Sequence, residues 1–170
     1  MVNLLKFKGI LIVISSPSGA GKTSLANSIV EENENISFST SVTTRSPREG
    51  EKNGREYHFV EKAQFDLMIK NKRFIEYAEV FGNYYGTPKD QIEKLLNNGK
   101  DIIFDVDWQG GTKIRNSYLS SLVVSIFILP PSTKTLHERL LNRNKDDDKT
   151  VKLRMKETRS EISHWSEYEY

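Results

Sequence analysis

Hydrophobic and polar positions alternate along this chain in blocks, and each block changes period where a turn residue interrupts it. The continuous apolar run Ile10-Leu11-Ile12-Val13-Ile14 predicts a strand buried on both faces, and a helix follows it over residues 24–32, with Leu25 and Ile29 facing inward and Ser28 as a further inward position. Residues 36–43 are rich in strand formers, and residues 45–55 are polar and broken by Pro47, Gly50 and Gly54. A short strand over residues 57–60 precedes a helix over 61–71 whose apolar face carries Phe65, Met68 and Ile69. Residues 74–81 read as a strand closed by Gly82-Asn83, and Thr87-Pro88 reads as a helix start running to about Asn98 and stopping at Gly99.

The second half repeats the alternation. Ile102-Ile103-Phe104 forms the centre of a buried strand over 101–106, followed by a short helix over 110–116. Residues 122–129 are the most apolar strand and end at Pro130-Pro131; Ser132 caps a helix to about Arg143. Residues 144–149 are charged, and residues 151–163 return to helical spacing. Strands alternating with helices predict an α/β fold with a largely parallel sheet.

At 170 residues the chain suits one domain with a substantial core. Lys and Arg number 25 against 23 Asp and Glu, a net charge of +2, so no overall field draws in nucleic acid or a membrane surface. The absence of cysteine excludes disulfides and thiolate metal sites. No apolar stretch approaches the ~18–20 residues of a membrane span, and the first residues do not form a signal peptide. These features predict a soluble cytoplasmic protein.

The chemistry concentrates where the first strand breaks. Ser16-Pro17-Ser18-Gly19-Ala20-Gly21-Lys22-Thr23-Ser24 joins that strand to a helix, the arrangement of a phosphate cradle. Gly19 and Gly21 are free to take positive φ and expose backbone N–H groups. Lys22 supplies a charge for phosphates and Thr23 a hydroxyl for Mg²⁺. The usual pattern has glycine where this chain has Ser16. Asp105 and Asp107, at the end of a buried strand, are the carboxylates such a loop pairs with a metal; Asp105 is expected to act with Thr23, through water. Arg45 and Arg48 share a proline-stiffened loop, and two guanidinium forks suit a phosphate. The histidines at 58, 137 and 164 lack metal spacing, and Trp108 and Trp165 are expected to pack rather than stack on a base.

Taken in order, residues 15–23, 41–51, 54–60, 74–78, 82–86 and 105–110 resemble the guanylate kinases over nearly the whole chain, most specifically in T-T-R-x-P-R-x-G-E and G-N-Y-Y-G. The resemblance implies a three-layer P-loop fold with a parallel core sheet, a small mixed β/α GMP-binding insert and a helical lid. It implies a core of residues 1–35, 99–138 and 155–170, a GMP-binding region of 36–88 with helix 88–98 returning to the core, and a lid of 139–154. The implied reaction is transfer of the γ-phosphoryl of MgATP to GMP or dGMP, by a monomer or homo-oligomer. Ser41, Arg45, Arg48, Tyr57 and Tyr85 match positions that hold the GMP phosphate, while Glu76, Thr87 and Asp107 match those that read guanine. Arg139, Arg143 and Arg154 match lid arginines over the ATP phosphates; Lys22, Arg45, Arg143 and Arg154 are the expected catalytic set, and Asn144 stands where a glycine is usual.

Two alternatives accompany this reading. Asp107-Trp108-Gln109-Gly110 and Asn144-Lys145-Asp146-Asp147 fit D-x-x-G and N-K-x-D, the motifs of a GTPase switch. Guanylate-kinase-like domains also serve as peptide-binding scaffolds, although with degraded ATP sites. The resemblance further implies another strand and a final helix beyond Tyr170, so the chain reads as truncated, with a GMP site more complete than its ATP site and with reduced stability.

Overall fold

Two separate sheets take up the predicted strands. The computed structural model describes residues 7–55, 57–80, 82–142 and 148–170, apart from the side chains of residues 142 and 148–150. The elements in chain order are β1 (Leu11–Ser15), α1 (Lys22–Glu32), β2 (Ile36–Phe38), β3 (Val42–Thr43), β4 (His58–Phe59), α2 (Lys62–Lys70), β5 (Phe74–Val80), β6 (Asn83–Pro88), α3 (Lys89–Asn97), β7 (Asp101–Asp105), α4 (Trp108–Arg115), β8 (Val123–Phe127), α5 (Thr133–Asn142) and α6 (Asp148–Ser163).

The first sheet is parallel, in the order β2-β7-β1-β8. Its two faces explain why β1 and β7 are apolar at every central position. Leu11, Val13, Ile102 and Phe104 meet Ile92 and Leu96 of α3 and Ile114 of α4, whereas Ile14 and Ile103 meet Ala26 of α1. Each such aliphatic or aromatic side chain contributes about 1.5–3 kcal/mol when fully buried. Helices therefore cover both faces, giving three layers. Against expectation, Leu25 is 46% exposed and Ala26 is the buried residue of α1.

The second sheet is mixed, in the order β4-β3-β6-β5, with β5 and β6 forming a hairpin. It packs on α2 through Phe65, Phe74 and Val42. The β-rich segment at 36–43 is thus two strands in two sheets. It crosses at residues 39–41, where Ser39 N–H still reaches Ile103 O (2.9 Å) while Ser41 O already accepts from His58 N–H (2.9 Å).

The end of α3 and the start of α5 follow local chemistry, whereas the start of α3 does not. Gly99 adopts φ 76°, and the N–H groups of Gly99 and Lys100 return to Leu96 O and Leu95 O, closing α3. Ser132 Oγ accepts the Thr135 N–H at 3.0 Å and so caps α5. Thr87 does not cap α3. It is the penultimate residue of β6, Pro88 stands at the cap position, and the Thr87 hydroxyl points elsewhere.

The far edge of β8 also has a partner. Tyr170 N–H donates to Ser125 O (3.1 Å) and Tyr170 O accepts from Phe127 N–H (2.7 Å). Tyr168 is buried against Phe127, while Trp165 is 55% exposed and so does not pack as expected. Trp108 stacks on His164 at 3.7 Å. Among the described residues, no helix is long and apolar enough to cross a membrane.

Candidate active site

The phosphate loop grows from β1 as expected. Gly19 (φ 88°) and Gly21 (φ 101°) occupy the left-handed region, and Gly21 is the residue from which α1 starts. Ser16 needs no positive φ: among the described residues only Lys72 combines a side chain with one. Serine therefore fits where glycine is usual, buried with its hydroxyl donating to Pro17 O. Pro17, Ser18, Ala20, Lys22, Thr23 and Ser24 complete the wall of a cavity of about 350 Å³, which Arg139 and Glu161 also line.

The end of β7 faces this loop. Asp105 accepts from both the Lys22 ammonium and the Thr23 hydroxyl, tying the loop's two charged and hydroxyl groups to one carboxylate. Asp107, two residues on, caps α4: its Oδ1 accepts the Gly110 N–H at 2.8 Å. That places α4 two residues earlier than the sequence pattern suggests. On the donor side, Arg139 Nη1 donates to Ala20 O (3.0 Å) and Arg154 Nη1 to Ser18 Oγ (2.9 Å). Arg143 and the segment Asn144 to Asp147 lie outside the described residues.

A second cavity of about 230 Å³ adjoins the first. Lys22, Thr23, Val80 and Asp107 line both, and Ser41, Arg48, Tyr57, Glu76 and Tyr85 line the second but not the first. Arg45 stands beside it, in a neighbouring cleft shared with Ser41, Arg48 and Tyr57. The Arg45 fork binds both oxygens of Glu51 (3.0 and 2.9 Å), and Glu51 also accepts the Arg48 N–H at 2.7 Å. Burial alone would lower the Arg45 pKa; its hydrogen bonds to Glu51 and Tyr85 raise it instead. The guanidinium lies 5.4 Å from the Tyr57 ring centre, and Tyr57 meets Tyr85 edge-on. Burial raises the Tyr57 phenol to about 12, so it stays a donor at neutral pH. Glu51 was not among the expected site residues, although an acid three residues from Arg48 in a tight polar loop is a readable signal.

Glu76 holds the floor of this second cavity. It projects inward from β5, 5% exposed, and accepts the Thr87 hydroxyl at 2.7 Å. Thr87 sits opposite Glu76 in the β5–β6 hairpin, which explains why it is spent here and not on a helix cap. Burial raises the Glu76 carboxyl to about 7, Asp107 adding to the rise and the Thr87 hydrogen bond opposing it. All eight expected acceptor-side residues thus gather around one pocket or its rim. Among the described residues, no cluster of three or more His, Cys, Asp or Glu is disposed to hold a metal without help from other ligands.

Known proteins place the chain in a family. The guanylate kinase family model matches residues 8–170. The guanylate kinase of Rickettsia felis is 48% identical over 166 residues, 98% of this chain and 85% of that protein. That of Cereibacter sphaeroides is 48% identical over 163 residues, 96% of this chain and 77% of its own. The crystal structure of guanylate kinase from Anaplasma phagocytophilum superposes with a TM-score of 0.76 at 37% identity, covering 96% of this chain and 76% of that one. With the match to the family extending over nearly its whole length, the chain belongs to the guanylate kinases.

Proposed function

We propose that the protein transfers the γ-phosphoryl group of ATP to GMP, giving ADP and GDP, with dGMP as a second acceptor. The observation that carries this reading is the pair of cavities sharing Lys22 and Thr23 as a common wall. One holds a phosphate loop and the other a buried carboxylate among arginines and phenols. Phosphoryl transfer needs two nucleotides with their phosphates in line and little else from the protein.

In this reading Ser41, Arg45, Arg48, Tyr57 and Tyr85 grip the acceptor phosphate. Glu76, Thr87 and Asp107 read the base. Guanine offers N1–H and an amino group side by side, and a carboxylate can accept both. Adenine places a lone pair where guanine has N1–H, so the same carboxylate repels it. A buried polar group left unpaired in this way can discriminate by up to ~10⁴–10⁵.

The loop of Ser16 to Ser24, with Arg139, Arg143 and Arg154, binds and screens the ATP phosphates. Lys22, Arg45, Arg143 and Arg154 stabilise the charge on the moving group. The acceptor oxygen belongs to a phosphate whose second pKa is near ~6, so no protein base is required. A bond forms from that oxygen to the γ-phosphorus as the bond to the β-bridging oxygen breaks.

Magnesium fits this loop. Thr23 and Asp105 present hard oxygen donors side by side, and Mg²⁺ is commonly held by one or two protein oxygens, water and substrate phosphates. When bound, it neutralises charge on the phosphates. Thr23 and Asp105 would hold the ion, Asp105 through water, and Lys22 would supply positive charge to the phosphates.

Residues 1–35, 99–138 and 155–170 serve as the core, 36–88 as the acceptor region with helix 88–98 returning to the core, and 139–154 as a lid that excludes water on closing. The protein acts in the cytoplasm as a monomer or homo-oligomer, without nucleic acid or a membrane; the small net charge supports the last two points. ADP release from MgATP with GMP, dGMP, AMP or no acceptor tests the reading. Turnover with GMP and dGMP is the expected result. Equal turnover without an acceptor would replace it with a hydrolase, and no turnover with a binding module.

A further inference from the structure

One face of α6 is turned toward the phosphate loop. Val151, Arg154, Thr158 and Glu161 recur at helical spacing on it, and Val151 and Thr158 are buried there. Two of them meet the same loop residue from two turns apart. Arg154 Nη1 donates to the Ser18 hydroxyl at 2.9 Å, and Glu161 Oε2 accepts the Ser18 N–H at 3.2 Å.

Glu161 is poorly placed for its own stability. It lies in the last turn of α6, where the helix dipole disfavours negative charge. It is partly buried, and Glu157 and Asp107 add like charge. These influences raise its pKa, burial first, while the Ser18 N–H and the charge of Lys22 pull the other way. A surface helix gains nothing from such a carboxylate unless its contact with Ser18 matters. Ser18 directly precedes Gly19, the first left-handed residue of the loop, so a hold on the Ser18 amide fixes the plane from which the cradle turns.

We propose that Glu161 is a positioning residue for ATP: from the base of α6 it holds the Ser18 amide, and so keeps the phosphate loop in register with the helix that carries Arg154. It lines the cavity of the loop and acts through Ser18. The inference rests on the reading of the loop as the ATP site.

The test is titration of the whole chain with magnesium and a non-hydrolysable ATP analogue, and separately with GMP, alongside steady-state kinetics and thermal melting. In Glu161→Ala the KM for ATP and the analogue Kd rise about tenfold, as expected on losing a hydrogen bond to a charged group. GMP affinity is unchanged. Glu161→Gln, whose amide oxygen accepts the same N–H, restores ATP binding. Glu161→Asp keeps the charge but withdraws it by one methylene; it shows the loss at smaller size and serves if Glu161→Ala does not fold.

Wild-type ATP affinity in both Glu161→Ala and Glu161→Asp would overturn the inference. So would tighter binding, which would make the carboxylate a competitor of phosphate. A parallel fall in ATP affinity, GMP affinity and melting temperature would reduce Glu161 to a structural role. Failure of the wild type itself to bind the analogue would remove the ATP reading, a result separable from all of these.

Discussion

The base pocket and the phosphate loop hold their charges in opposite ways. In the pocket, Glu76 is buried on a strand, has one hydroxyl partner and sits well above its ordinary pKa. In the loop, Lys22 and Thr23 share Asp105, partly exposed, with charge set directly against charge. A rigid, costly and under-neutralised group suits discrimination, because only a ligand that completes its hydrogen bonds relieves it. A pre-neutralised and exchangeable cluster suits transfer, because its members can trade partners when phosphates arrive. On the proposed function, specificity is built into a hairpin, and reactivity into a loop at the end of a sheet.

The largest effect expected from breaking this division is at the loop. Lys22→Ala lowers turnover by about 10³-fold or more while GMP binding, followed by calorimetry, stays near wild type. Equal loss of GMP affinity would mean the two regions are not separable. Next in size, Glu76→Gln reduces the preference for GMP over AMP by about 10²-fold with ATP affinity retained. An unchanged preference would remove Glu76 from base reading.

Arg45→Lys gives a smaller change. It replaces a two-pronged fork by a point charge, and the KM for GMP rises about tenfold with little change in that for ATP. The same substitution loosens the hold on Glu51, which the kinetics of Arg45→Lys combined with Glu51→Gln would reveal as non-additivity.

Stability sharpens the comparison further. The Glu76 carboxyl titrates near 7 in the folded protein against an ordinary 4.5, so between those values the folded state keeps a proton that the unfolded state has lost. Stability therefore falls as pH rises from about 4.5 to 7 and stays lower above, by an amount on the order of 3 kcal/mol from this group. Glu76→Gln should melt higher than wild type at pH 8 and alike at pH 4, as scanning calorimetry would show. The smallest effect expected is confined to the fold. A Cβ on Gly111 would lie 2.3 Å from the Tyr168 hydroxyl and 3.0 Å from Ser15 Oγ, so Gly111→Ala costs about 1–3 kcal/mol of stability without altering base preference.

How much of this was legible beforehand depended on how local the physics was. The loop from Ser16 to Ser24 could be read directly because a strand, two glycines and a helix start lie side by side in sequence. Arg45, Arg48 and Tyr57 were readable from a distinctive run of neighbours. Leu25 read as inward because it stands four residues before Ile29, whereas the buried residue of α1 is its neighbour Ala26. Thr87 looked like a cap because a hydroxyl before proline suits that role; its true partner, Glu76, is opposite it across a hairpin. Residues 36–43 read only as rich in strand formers, because nothing in their composition marks the passage between sheets. Glu161 and Tyr168 were missed for the same reason: each acts on residues more than 50 positions away, Ser18 and Gly111 respectively.

Glu76 is the group on which base reading depends in the proposed function. The direct measurement is the affinity of the wild type and of Glu76→Gln for GMP and AMP across pH 5–9, the variant serving to subtract titration of the ligand phosphate. Wild-type GMP affinity should weaken as pH falls through about 7 and the carboxyl takes up a proton, with AMP affinity not following and the variant showing no such step. A GMP affinity that keeps the same pH profile in both proteins, with the same margin over AMP, would contradict it.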